Sequence, residues 1–188
     1  MSTTHAYLEG QLLIAMPSMT DPRFERSVVF ICAHSADGAM GIVVNKPLSS
    51  LSFPELLKQL EIKTDVSDEK IQVYFGGPIE GARGFVLHSP DYIQDSTILI
   101  KNEFALTASI DILKAIAEGN GPRESLLALG YAGWAAGQLD QEIQDNGWLI
   151  ITANKKIIFQ TDNKNKWRSA TESLGVDISK LSSEFGHA

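Results

Sequence analysis

Nine short apolar runs, several of them bounded by glycine, proline, aspartate or asparagine, constrain this chain more than any other feature. They cover residues 11–15, 27–33, 40–45, 71–75, 84–88, 97–101, 126–131, 148–153 and 156–160. Several are rich in Val, Ile and Phe, the side chains that suit a pleated surface, so all nine read as strands. The runs at 27–33 and 148–153 are apolar almost throughout, which predicts strands with both faces buried.

Helical signals are fewer. Ser52-Phe53-Pro54-Glu55 is a capping box with proline in the first turn, opening a helix that reaches about Leu60. A second helix runs through Ala108, Ile112, Leu113 and Ile116 and stops near Gly119. Its start is ambiguous between Asn102 and Ser109, because residues 104–107 could also be strand. A third helix follows Gly133 and ends at Asn146-Gly147, and a fourth carries Trp167, Ala170 and Leu174 on one face and closes at Gly175. Strands outnumber helices and do not alternate with them one to one. That pattern disfavours a doubly wound nucleotide-binding fold and favours α+β, with either one large mixed sheet or a partly closed barrel with helices outside.

The chain has 188 residues, enough for one domain with a sizeable core, and no repeat or linker divides it, so residues 1–188 read as a single domain. Its one cysteine, Cys32, rules out an intrachain disulfide and a cysteine-built metal cage, and its apolar setting makes it a small buried hydrophobe. No secretory signal or membrane-length apolar stretch is present, which points to a soluble protein of the cytoplasm. The net charge of −7 argues against nucleic acid as a partner. A basic group near the C-terminus, Lys155, Lys156, Lys164, Lys166 and Arg168, reads as a solvated face.

Nucleotide, zinc and serine-hydrolase motifs are absent, and the four histidines, His5, His34, His88 and His187, stand apart in sequence. Three constellations remain. One begins at Gly10-Gln11-Leu12-Leu13-Ile14-Ala15-Met16-Pro17, continues through Met19, Asp21, Arg23 and Phe24, and ends at Asn45-Lys46-Pro47. Another joins Gly76-Gly77-Pro78 to Arg83-Gly84-Phe85-Val86-Leu87-His88. The last is Gly130-Tyr131-Ala132-Gly133-Trp134-Ala135-Ala136-Gly137-Gln138-Leu139, extended to Trp148. Together these segments resemble the AlgH/YqgE family of bacterial proteins over nearly the whole chain. The resemblance implies an α+β fold with a mixed, partly closed, barrel-like sheet surrounded by about four helices. It implies no catalytic residues and no cofactor. Part of the family carries the label of transcriptional regulator, from a connection with alginate production.

The residues themselves suggest a site. If Trp134 opens the third helix, then Trp134, Gln138, Glu142 and Asp145 share one side, with Leu139 and Ile143 on the neighbouring apolar stripe. Gly137 then sits one turn into the helix, and a glycine-rich turn at a helix N-terminus suits either close packing or an anion. Arg83, placed in a turn, either binds an anion or clamps a carboxylate such as Asp21. His88 points the same way as Val86 and reads as a satisfied, partly buried histidine. His34 and Asn45 read as turn formers. The expectation is a binding or regulatory protein with a shallow site lined by Arg83, His88, Trp134, Gln138 and Glu142. Its partner is an unidentified small ligand or protein, with no metal and no cofactor. Two alternatives stand beside it. A hydrolase of an anionic small molecule needs Arg83 and His88, or His34, to meet an acid such as Glu142. A DNA-binding regulator has only the segment around Lys164–Arg168 to offer, where Trp167 looks committed to the core.

Overall fold

In the computed structural model, residues 7–63 and 71–175 are described. His5, His187 and most of the polar gap after Lys63 lie outside them. Nine strands form one sheet: β1 (Gln11–Ala15), β2 (Val28–Ser35), β3 (Gly38–Val43), β4 (Val73–Phe75), β5 (Ile79–His88), β6 (Ile98–Ile100), β7 (Phe104–Thr107), β8 (Ser125–Ala135) and β9 (Trp148–Thr152). Among the described residues four α-helices accompany them: α1 (Phe53–Gln59), α2 (Ile110–Ala117), α3 (Gln138–Gln144) and α4 (Asn163–Ser173). The order across the sheet is β6-β7-β5-β8-β3-β2-β1-β9, with β4 also beside β8. Every pairing between strands is antiparallel except β4 with β8. The fold is α+β, a sheet curled into a half-barrel.

Alternation along the strands builds three cores. Leu12, Ile14, Val28, Phe30, Ile42, Leu87 and Phe104 face the inside of the curl, where Ile158, Trp167 and Ala170 plug it. Leu13, Ala15, Val29, Ile31 and Val43 face outward and meet Trp134, Leu139 and Trp148. Phe53, Leu56 and Leu57 of α1 and Ile112, Leu113 and Ala117 of α2 pack on Val73, Val86, Leu127 and Leu129. Both faces of β2 are therefore buried, as its unbroken apolar run predicts.

The capping box forms as expected. Ser52 Oγ accepts from the Glu55 N–H at 3.3 Å, and Glu55 Oε2 accepts from the Ser52 N–H at 3.0 Å. Residues 104–107 are strand, held between β5 and β6. Residues 156–160 form a π-helical turn instead of the expected strand. Asn154 Oδ1 accepts from the N–H groups of Lys156 and Ile157, which turns the chain before it can extend. Buried Ile157 and Ile158 account for the apolar signal.

The largest correction falls on the glycine-rich segment. β8 does not end at Tyr131 but continues to Ala135, pairing Trp134 with Ala39 and Ala135 with Gly38. Helix α3 starts only at Gln138, after Gly137 takes a left-handed φ of 74° as its N-cap. Trp134 is thus a strand residue, and no helical face joins it to Gln138 and Glu142. Gly130, at φ 78°, lies where the two halves of the sheet meet. Before it, β8 is flanked by β4 and β5; after it, by β3, with the first residue of β5, Ile79, opposite Tyr131. Gly76 bridges the junction, donating to Leu129 O and accepting from Val43 N–H, both at 2.8 Å. A side chain on Gly76 or Gly130 would strike the backbone of the opposing segment. Close approach of two main chains is why glycine stands there.

Candidate functional site

The five side chains expected to form a site go to separate places. Arg83 lies on an exposed stretch of β5, 3.3 Å from Glu80 and 5.0 Å from the Phe85 ring centre. Asp21, its other suggested partner, is taken by Arg23 at 2.8 Å, which holds the Asp21 carboxyl below its ordinary range. Trp134 is buried edge-on against Trp148, with centroids 6.1 Å apart. Gln138 folds back to accept the Ala135 N–H at 2.9 Å. Glu142 lies on α3, where its Oε2 is buried without a protein partner, as is Trp148 Nε1. Backbones of the 76–88 and 130–142 segments do touch, with Ile79 opposite Tyr131. Among the described residues no hydrogen bond joins any two of these five side chains.

His34 meets an acid, but it is Asp140 at 3.8 Å rather than Glu142. Its Nδ1 accepts the Leu8 N–H at 3.0 Å, which leaves Nε2 to carry the ring proton toward Asp140. Asn45 does more than form a turn. Its Oδ1 accepts from Val28 N–H and its Nδ2 donates to Arg26 O, both at 2.9 Å, pinning the loop between β1 and β2. Lys166 corrects the solvated-face reading of the basic group. It is 1% exposed, with Nζ donating to Val44 O at 2.8 Å and sitting 5.0 Å from the Tyr74 ring centre. Burial depresses its pKa to about 8. Trp167 is buried, as expected, and donates from Nε1 to Ala15 O at 2.8 Å.

The most organised polar chemistry lies beneath α2. β5 and β7 pair Val86 with Thr107, so both side chains rise on the face that α1 and α2 cover, and His88 follows two residues on. His88 is fully buried, with Nδ1 2.8 Å from Ser89 O and Nε2 2.8 Å from Thr107 Oγ1. A carbonyl only accepts, so Nδ1 carries the proton and Nε2 of the neutral ring accepts from the Thr107 hydroxyl. Thr107 Oγ1 in turn accepts from Thr97 Oγ1 at 2.8 Å, and Thr97 accepts the Gln94 N–H at 2.9 Å. Every proton in the chain is assigned by its neighbour. Desolvation lowers the His88 pKa, against smaller opposing effects of Ser89 and Asp91, so the ring is neutral at pH 7. Ser89 is itself fixed: its hydroxyl bonds Asp91, accepts the Glu124 N–H at 3.0 Å, and holds the Asp91 carboxyl below its usual range.

Thr107 also lines a cleft of about 90 Å³ between α1, α2 and the sheet. Leu56, Leu60, Gly84, Val86, Ile110, Leu113, Leu127 and Leu129 supply an apolar wall; Thr107 and Ser109 supply its hydroxyl side chains. Leu60 and Ile110 are 37% and 54% exposed. Ser109 is the N-cap of α2, yet its hydroxyl donates to Gln94 Oε1 at 2.7 Å and makes no capping bond. His88 was legible as a satisfied histidine. Thr97, Thr107, Ser109 and Gln94 were not, because isolated polar residues at strand ends and in loops carry no spacing signal.

A half-barrel sheet with helices over its outer face, an inner core plugged from the C-terminal side and a small cleft under α1 and α2 defines an α+β domain without a nucleotide or zinc motif. The profile of the AlgH-like family matches residues 12–179, and the chain belongs to that family. A UPF0301 protein of Afipia carboxidovorans is 54% identical over 195 residues, spanning 100% of this chain and 93% of the relative. One from Cereibacter sphaeroides is 53% identical over 182 residues, covering 96% and 99%. The solution structure of the AlgH protein from Pseudomonas aeruginosa superposes with a TM-score of 0.80 at 41% identity, covering 100% of both chains. A crystal structure of a Corynebacterium diphtheriae protein, 19% identical with a TM-score of 0.75 over 96% and 94% of the two chains, shares the fold. No helix among the described residues is long and apolar enough to cross a membrane.

Proposed function

We propose that the protein is a soluble, cytoplasmic binding or regulatory protein whose ligand enters the cleft between α1 and α2. One observation carries this reading: an apolar cleft with Thr107 and Ser109 as its hydroxyl side chains. Apolar walls with a few placed polar groups are the usual composition of small-molecule sites. A dry cavity of ~150 Å³ holds benzene. The cleft, at about 90 Å³, suits a linear chain of roughly four or five heavy atoms. Net charge of −7 and the burial of Lys166 and Trp167 speak against the DNA-binding alternative.

The test is a titration with 1-butanol, followed by methyl NMR of Leu56, Leu113 and Leu129. Saturable shifts confined to these methyls support the reading. The control is Gly84→Val. A Cβ at Gly84 meets only Leu129 at 3.6 Å, so the larger side chain fills the cleft at little strain. Equal shifts in wild type and Gly84→Val would overturn the assignment.

A further inference from the structure

The cleft lies along a gap in the sheet, and the gap defines what enters it; this inference rests on the binding reading above. We propose that β5 takes up, at Gly84, an extended segment of a partner polypeptide as an added antiparallel strand. One aliphatic side chain of that segment fills the cleft, and its acidic neighbours face Arg83.

The backbone decides this first. Leu129 turns its carbonyl to the Gly76 N–H. Successive residues of a strand send their backbone groups to opposite sides, so Ala128 turns toward β5 and its partner Phe85 toward β8. Gly84 and Val86 therefore turn toward β7. Val86 finds Thr107 there. Gly84 finds no strand, because β7 ends at Thr107 and Ser109, next in register, is already the N-cap of α2. Among the described residues no backbone hydrogen bond reaches Gly84 from that side. Gly84 is partly exposed, and a glycine has only backbone to expose. An amide and a carbonyl open side by side are a template for one more strand.

The cleft supplies the pocket. Residues directly opposite in an antiparallel pair send their side chains to the same face. A residue paired with Gly84 therefore points to the face of Val86, where Leu56, Leu113 and Leu129 wall the cleft. The space of about 90 Å³ suits a valine or leucine side chain. Its rim faces solvent: Ala82 is exposed beside Gly84, as are Leu60 and Ile110.

Arg83 selects the neighbours. It stands on the other face of β5, 5.0 Å from the Phe85 ring centre, and its ion pair with Glu80 is exposed and adds little to the fold. Residues flanking the aliphatic one point to that face, so acids there meet the guanidinium. The occupant is a short segment and not the face of a second copy. Residues 80–83 loop out of the ladder with β8, and Glu80 breaks the strand at φ 46°. An edge this short offers far less than the ~800 Å² that each partner of a stable complex buries.

The probe is the blocked peptide acetyl-TELET-amide, titrated into the full chain and followed by NMR. Saturating peptide is expected to shift the methyls of Leu56, Leu113 and Leu129 and to slow exchange of the Gly84 amide at least ~10-fold. Two altered peptides are each expected to bind at least ~10-fold more weakly: one with N-methyl-leucine, which cannot donate to Gly84 O, and one with alanine in place of leucine. Both leave the protein untouched, so no folding defect enters. Arg83→Glu is expected to weaken binding about two- to fivefold, an effect that fades at about 1 M salt. The net charge of −7 by itself favours acetyl-TKLKT-amide, so tighter binding of the acidic peptide isolates the Arg83 contact. Equal or tighter binding of the lysine peptide overturns the acidic preference. Methyl shifts without slowing at Gly84, or equal binding of the N-methyl peptide, overturn strand addition. Butanol shifts in the cleft without peptide binding sink this inference and leave the binding reading standing. Absence of both removes both.

Discussion

Replacing Lys166 by methionine should stabilise the protein at neutral pH. Lys166 sits in α4 at 1% exposure, with one backbone carbonyl and one aromatic face as its partners. Among the described residues no carboxylate is hydrogen-bonded or ion-paired to it. Its pKa falls from 10.5 to about 8 because burial penalises the ammonium form. At 1.36 kcal/mol per unit, that drop corresponds to roughly 3 kcal/mol of penalty on the charged state. The sign follows from proton counting. Between the two values the unfolded chain binds more protons than the folded one, so stability rises as pH increases from about 8 to 10.5. Below about 8 the folded side chain is also charged and the penalty is fully in force. Methionine keeps most of the volume and removes the charge, but it strands Val44 O, which costs about 1–2 kcal/mol. The expected net gain at pH 7 is therefore about 1–2 kcal/mol, in line with the replacement of other buried charges by apolar residues. Urea unfolding of both proteins at pH 7 and pH 10 measures it. The difference should shrink, or change sign, at the higher pH. A variant destabilised by more than about 1 kcal/mol at pH 7, with the same deficit at pH 10, would refute the reasoning.

Gly130→Ala and Gly76→Ala should each destabilise by more than ~4 kcal/mol or prevent soluble expression, since the added carbon meets opposing backbone; thermal unfolding decides. Asn45→Ala should cost about 1–2 kcal/mol through the loss of its two backbone bonds, read as a lower urea midpoint at unchanged slope. Arg83→Ala should shift stability by no more than about 0.5 kcal/mol, because its ion pair with Glu80 is solvent-exposed, and a larger loss in calorimetry would point to a partner not seen in the fold.

The α+β class, eight of the nine expected strands and the capping box at Ser52 were legible because each depends on local chemistry: branched side chains, turn residues and a short-range cap. What escaped was decided by tertiary pairing. Gly130 and Gly133 are as compatible with a strand end as with a strand crossing a junction, and only β3 and β4 on the other side make the difference. The apolar signal at 156–160 was real, but Asn154 sets the backbone. The candidate site was less legible than the fold. His88 stood out through its ring; Thr97 and Thr107 acquire meaning only when β7 pairs beside β5 and the loop before β6 brings Thr97 to the Thr107 hydroxyl.

The pairing of β1 with β9 has a consequence for synthesis. Gln11 lies opposite Thr152, so one of the earliest strands made is completed by the last. Until residues 148–152 leave the ribosome, β1 carries an open row of amide and carbonyl groups beside apolar side chains. Such an edge recruits other chains. Pairing over that sequence distance is also slow. A nascent chain stalled before Trp148 is therefore the form of this protein most in need of a chaperone, and its exposed edge is the surface a chaperone would have to shield.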